Sequence, residues 1–517
     1  MIKGLLIIGI CLTMGIWSVA EACTNFVVTK GASATGSVFV SHSNDSSVCD
    51  PSINFVPAKD YPKGSMRKIY PSAIAWEELP EYNCYMCPRR QADTIPLGEI
   101  PQVGHTYAYL DADYGIVNEY GLMLGECTNN SRIENTSIVK GKGIFYAAEL
   151  GRVALERCKK AREAVELMGA LIDKYGLYAT AETLIVADMD EAWILEMQPT
   201  PSGEGGFWVA QKIPDGEFFV AANQFRIREL SKENPDQIFN ANLLENLEKI
   251  GWAVYDEESG KMDWVKSMGA VEDYHPYFCL RRVWRAFDLV APSKNFSSKL
   301  TSYYDKTYPF SVKPDNPITR EKLMQMHRDF YQGTEFDLTK GVVAGPFGNP
   351  LRYGKSHAER SIASGNSTYT WMVELNKNFA APVAWIALTS PGASTFVPLT
   401  VGEVPKGYDR VNRKEFEKTV PWWNYLMVSE FTFDRFGVVG DVVQKAAEAQ
   451  EKSAGNLLEA LVGQSKEKLH KSLNKYALQV QKDWQKLYGD LLAKYNQLRN
   501  ADYREELKKY QKPLEEY

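Results

Sequence analysis

Cys23 follows the tripeptide Ala20-Glu21-Ala22 at the end of an apolar run, and a cysteine in that position can do chemistry that other cysteines cannot. Cleavage after Ala22 would leave Cys23 first in the chain, with a thiol and a free amine on neighbouring carbons. A thiolate is a strong nucleophile, and an amine beside the thiol can act as its base. Two other readings of the same residue stand next to this one. A cleavage site can precede a cysteine by chance. A bacterial lipoprotein also starts at cysteine, although Ala20 and Glu21 depart from the large aliphatic and small uncharged residues such a site favours.

Farther on, His42-Ser43-Asn44-Asp45 sets an imidazole and a carboxylate three residues apart, and Cys84 and Cys87 have the spacing of half a metal site. No second Cys or His pair completes that half-site. His42, His105, His275, His327, His357 and His470 are scattered without an HExxH-type spacing, so metalloprotease chemistry is unsupported. Cys49, Cys84, Cys87, Cys127, Cys158 and Cys279 form an even set that suits disulfides in an oxidising compartment.

The elements that must position these groups begin with the leader. Lys3, the apolar stretch from Gly4 to Val19 and the small-x-small site at 20–22 have the three parts of a secretory signal, so residues 1–22 are expected to be removed and the protein to be secreted or periplasmic. No later run approaches the roughly 20 apolar residues that cross a bilayer. A net charge of -6 over 517 residues argues against a nucleic-acid surface. The text from Cys23 reads as a strand, a Gly-Ala-Ser turn and a second alternating strand through "SVFVSHS", a hairpin that would return Asp45 to the chain start. "YAYLDADYGIVNEYGLMLGECT" reads as two strands joined at "NEYG", residues 144–175 have helical spacing ending at Gly176, and "ETLIVADMDEAWILEMQ" is a hairpin around Met189-Asp190-Glu191. "GFWVAQKIPDGEFFVAANQF" reads as another pair of strands, and strand texture returns between 367 and 400. Beyond about 415 the chain turns helical, as a packing or homo-oligomer surface, and the order of elements predicts an α+β layered fold.

At "CTNFVV…GSVFVSHSND", "VNEYGLMLGECT", "WILEMQ…GFWVA" and "VAANQFRIREL" the sequence resembles the dipeptidase family of N-terminal nucleophile cysteine hydrolases, relatives of the secernins, choloylglycine hydrolases and penicillin V acylases. The similarity runs in order from Cys23 to roughly residue 410. It implies an αββα sandwich over residues 23–414, with the helical region 415–517 outside the resemblance. It also implies that Cys23 is the nucleophile, with its own α-amine in proton transfer. By the same resemblance Asp45 holds the amine and thiol, and Asn223 donates to the oxyanion. Arg282 falls near a site arginine, with Arg281 and Arg285 as neighbouring candidates. At His42 the relatives more often carry Arg or Lys. Glu126 or Thr128 is expected to line a pocket for a substrate's ammonium, and Asn118 to be either a turn residue or a contact. The expected activity is hydrolysis of short peptides through a thioester, with no metal or organic cofactor. An acylase acting on bile salts, penicillin V or other acyl amides is the alternative hydrolase. A lipidated binding protein is the alternative from another class.

Overall fold

The computed structural model describes residues 23–46, 49–72, 80–82, 93–133, 138–139, 141–270, 276–300, 302, 304, 306–353 and 359–496. The leader and the Cys84/Cys87 pair lie outside them. Alternation along Thr24–Val28 explains where the first strand sits. Val27 enters one apolar core together with Val38, Val40, Val117, Met123 and Ile185, while Phe26 and Val28 enter a second core on the opposite face. A strand buried on both faces must be interior to the molecule.

That strand is the third in a seven-stranded antiparallel sheet, in the order Ser311–Val312, Phe218–Ala221, Thr24–Val28, Val38–Asn44, Tyr369–Leu375, Val383–Leu388, Val397–Thr400. An eight-stranded antiparallel sheet has the order Gln237–Phe239, Gly206–Lys212, Ala192–Pro199, Ala181–Ala187, Met123–Asn129, Gly115–Asn118, Tyr109–Asp111, Asn54–Val56. Residues of both sheets share the first core, so the two sheets bury one face each against the other. On the far side of the eight-stranded sheet, Leu124, Val186 and Leu195 pack with Leu150, Val153, Val165 and Met168 of the helices Ala147–Arg157 and Ala161–Tyr175. On the far side of the seven-stranded sheet, Phe26, Val28 and Phe39 pack with Leu280, Val283 and Phe287 of the helix Pro276–Val290. The chain is thus an α+β protein.

The first hairpin forms as expected, with Thr24 opposite Ser43 and Asn25 opposite His42. Three strands rather than two occupy 109–129, because Asp111 to Gly115 makes an additional turn. The turn at "NEYG" is present: Gly121 has a φ of 85°, and Asn118 Oδ1 accepts from the Tyr120 and Leu122 amides. Asn118 is therefore a turn residue. The strands Gly206–Lys212 and Phe218–Ala221 do not pair with each other. They belong to different sheets, and the short connection between them carries the chain from one layer to the other.

The expectation of disulfides fails for Cys127, Cys158 and Cys279, which are separate buried thiols. Three helices, Pro421–Phe433, Phe436–Ala460 and Lys466–Tyr495, make up the described C-terminal end. Val443, Ala477 and Trp484 of these helices share a core with Val397 and Leu399 of the edge strand, so their apolar faces are used in packing. Among the described residues no helix is long and apolar enough to cross a membrane.

Candidate active site

The hairpin register puts Cys23 one residue before the paired part of its strand, beside the turn that leads into Asp45. The Asp45 amide donates to Cys23 Sγ. From the facing sheet, Glu126 Oε2 accepts from Sγ at 3.4 Å. The close approach of the two sheets here depends on Gly125, where a Cβ would stand 2.8 Å from Asn25 Oδ1. A Cβ there would push on the same side chain whose Nδ2 donates to the Glu126 carbonyl at 2.6 Å.

Among the three candidate arginines, Arg282 is the one that reaches the cysteine. Its Nη1 donates to the Cys23 carbonyl at 2.8 Å and to Thr24 Oγ1 at 2.9 Å, and its Nη2 donates to Asn223 Oδ1 at 2.6 Å. Arg281 pairs instead with Glu359, and Arg285 with Asp329. Spacing on the helix Pro276–Val290 explains the selection, since Cys279, Arg282 and Ala286 lie on the face turned to the sheet and are fully buried.

Asp45 accepts from Ser43 Oγ at 2.8 Å, from Ser367 Oγ and from the guanidinium of Arg360. Arg360 also donates to Asn223 Oδ1 at 3.3 Å. Asn223 therefore receives two guanidiniums on its oxygen, which fixes its amide nitrogen toward the Thr128 carbonyl at 2.6 Å. That bond uses one of two amide hydrogens. Asn223 also has a φ of 62°, a left-handed conformation that asparagine tolerates better than most side chains. Its amide donates to Cys127 Sγ, and its carbonyl accepts from Cys279 Sγ. The strain is held in place from both sides.

Electrostatics follow from burial. Desolvation, reinforced by Glu126, Cys127 and Asp45, pushes the Cys23 thiol well above its ordinary range, so the resting group is the thiol. Burial and the neighbouring Glu182 push the Glu126 carboxyl well up, and burial raises Glu182 as well, so both are held toward their neutral forms. Thr128 Oγ1 donates to Glu126 Oε1, and Tyr146 and Thr180 donate to Glu182 Oε1. Glu126 is 1% exposed, so it stands at the thiol rather than on an open wall. Burial lowers His42 to about 4, which makes it neutral at physiological pH and removes it as a source of positive charge. Arg282 is lowered by burial, and next by Arg360, to about 10 and stays charged.

Cys23, His42 and Glu126 each offer a ligand atom within 4.8 Å of the other two, the one group of at least three Cys, His or acidic residues with metal-ligand proximity among the described residues. The structure thus brings Cys23, His42, Asp45, Glu126, Thr128, Asn223 and Arg282 to one place. Sequence reasoning missed Ser43, Arg360, Ser367 and Glu182. Ser43 alone had a local signal, being inside "HSND"; Arg360 lies 315 residues from the carboxylate it binds.

A family model described as "Peptidase family C69" matches residues 22–449, beginning one residue before Cys23. A protein named probable dipeptidase B from Streptococcus pyogenes serotype M3 is 24% identical over 437 residues, covering 81% of this chain and 80% of that protein. Dipeptidase A of Lactobacillus helveticus is 21% identical over 439 residues, covering 83% and 86%. A probable dipeptidase of Latilactobacillus sakei is 23% identical over 389 residues, covering 73% of each. With most of its length inside the family match, the chain belongs to peptidase family C69.

Proposed function

We propose that the chain is a dipeptidase with an N-terminal cysteine nucleophile, built as an αββα four-layer sandwich and activated by removal of residues 1–22. The observation that carries this reading is the bridge made by Arg282 from the Cys23 carbonyl to Asn223 Oδ1, which ties the thiol to an amide donor and, through Arg360, to Asp45. A buried, protonated thiol needs a base at the moment of attack. The freed α-amine, with an ordinary pKa of about 7.7 to 8.0, is matched to that task near neutrality.

The amine takes the Sγ proton as sulfur bonds to the scissile carbonyl carbon, and the second Asn223 amide hydrogen meets the oxyanion. The ammonium then returns its proton to the leaving amine, the C–N bond breaks and a thioester remains. Water, deprotonated by the same amine, releases the acid product. Short peptides are the substrates in this reading, and a secreted or periplasmic location follows from the leader.

The test is intact mass and N-terminal sequencing of the protein from its native host, followed by dipeptides, penicillin V and bile-salt amides offered side by side. A start at unmodified Cys23, and dipeptide cleavage that Cys23→Ala abolishes, are the expected results. A lipid on Cys23, or a different start, overturns the mechanism. Preference for the acyl amides overturns the substrate class.

A further inference from the structure

The cysteine end of the molecule also has the makings of a metal trap. Thiol, imidazole and carboxyl are three different zinc-ligand chemistries, and here one atom of each lies within 4.8 Å of the others. A tetrahedral zinc with bonds of about 2.0 to 2.3 Å needs ligand atoms roughly 3.3 to 3.7 Å apart. Sγ and Glu126 Oε2 already stand at 3.4 Å. The rest of the set closes with a movement of about an ångström.

His42 is oriented as a ligand would be. The Glu126 carbonyl, 2.8 Å from Nδ1, can only accept, so Nδ1 carries the ring hydrogen and the lone pair falls on Nε2. Nε2 is buried and has no hydrogen-bond partner among the described residues. Metal-bound histidine commonly donates its other N–H to a backbone carbonyl in this way, which fixes the tautomer and the ring. An orphaned, buried lone pair on the ring that shares this cluster with a thiol and a carboxyl is what a bound ion would satisfy.

We infer that Cys23, His42 and Glu126 bind one zinc ion that switches the enzyme off. The inference rests on the reading that the mature chain starts at Cys23, because the freed α-amine then completes a four-coordinate set. Amine and thiolate of one cysteine close a five-membered chelate ring on the metal. On binding, the thiol proton and the Glu126 carboxyl proton leave to solvent, Zn–S and Zn–O bonds replace the S–H and O–H bonds, the amine binds in its neutral form, and no electron is transferred. Both nucleophile and base are then occupied, so zinc and peptide compete for the same enzyme form. A chelator restores activity.

The experiment is titration of the full mature chain with Co²⁺, followed by displacement with Zn²⁺, read by absorption with no peptide present. Saturation at one equivalent is expected, with a sulfur-to-cobalt charge-transfer band and the visible bands of a four-coordinate ion. Cys23→Ser loses the charge-transfer band. His42→Gln and Glu126→Gln each weaken binding by more than the roughly 10 to 100-fold typical of losing an outer-shell partner. Two variants from different strands guard against one failing to fold. Absence of the thiolate band at one equivalent, or wild-type affinity in both variants, overturns the site. Because the readout needs no turnover, a titration that succeeds where dipeptides are not cleaved would sink the proposed function and leave the metal site standing. Cleavage at Cys23 without the band would do the reverse.

Discussion

Two buried ion networks in this chain are alike in burial and pairing and differ in charge balance. In one, Arg328 meets both carboxylate oxygens of Glu451 and also donates to the Pro391 and Ser394 carbonyls, while Glu451 accepts from the Phe396 amide. One cation meets one anion, and the pair fastens the helix Phe436–Ala460 to the loop before the last strand. In the other, the guanidiniums of Arg282 and Arg360 converge on Asn223, with the carboxylate of Asp45 on one of them. The other carboxyls within reach, Glu126 and Glu182, are held toward their neutral forms by burial. A closed pair holds the fold together. An unbalanced cluster beside the proposed nucleophile leaves positive charge for something to be bound, such as a developing oxyanion or the carboxylate of a short peptide.

Breaking the second network should therefore change turnover, and the largest effect is expected at Cys23, the proposed nucleophile. Cys23→Ala should remove thioester formation altogether, leaving at most the residual rate enhancement of roughly 1,000 to 10,000-fold over water that binding and oxyanion groups provide. Trapping an acyl adduct on Cys23 by mass spectrometry checks this, and an adduct in the alanine variant would rule it out. Asn223 comes next. Loss of one oxyanion donor costs about 100 to 1,000-fold in kcat. Asn223→Gly is the better probe, since glycine accepts the φ of 62° and the effect then belongs to the missing amide rather than to backbone strain.

Much of that second network was legible in the sequence and part of it was not, for a physical reason. Alternation within 24–44 predicts the hairpin, and a hairpin fixes its own register, so Cys23 and Asp45 had to meet. The resemblance leaves the choice among Arg281, Arg282 and Arg285 open, because which of them meets the site depends on the face that the helix Pro276–Val290 turns to the sheet. Glu182 reads only as the polar residue of an apolar strand. Arg360 sits in a loop, its partners Asp45 and Asn223 are 315 and 137 residues away, and no local pattern encodes such a meeting. The strands at 206–212 and 218–221 show the same limit: periodicity identifies both, yet not that they enter different sheets.

The two arginine pairs give the sharpest contrast between the networks. Arg360→Met and Arg328→Met each leave a buried carboxylate without its cation, which costs roughly 3 to 5 kcal/mol of stability in buried pairs. Only Arg360→Met should also lower kcat, by about 100-fold, because Asp45 and Asn223 lose a shared support and small misplacement at a reacting centre is expensive. Denaturant titration and steady-state kinetics on both variants decide this. Equal kcat in the two would mean that the Arg360 network is as purely structural as the other.

The smallest effect concerns His327, which lies between the two networks. Its Nε2 is 2.8 Å from Ser41 Oγ, its ring packs on Phe26 at 4.7 Å, and Nδ1 is buried with no hydrogen-bond partner among the described residues. Burial, and then the nearness of His42 and Arg328, lower it to about 3. An unfolded histidine titrates near 6.5, so below that pH the unfolded chain takes up a proton that the folded one refuses. The stability contribution is complete above pH 6.5 and is lost as pH falls toward 3, at up to about 1.4 kcal/mol per pH unit. His42 acts with the same sign down to about 4. Chemical denaturation of wild type and His327→Gln from pH 7 to pH 4.5 isolates the His327 share. The wild type should lose stability more steeply by about 1.4 kcal/mol per unit, whereas parallel curves would mean that His327 accepts a proton inside the folded protein.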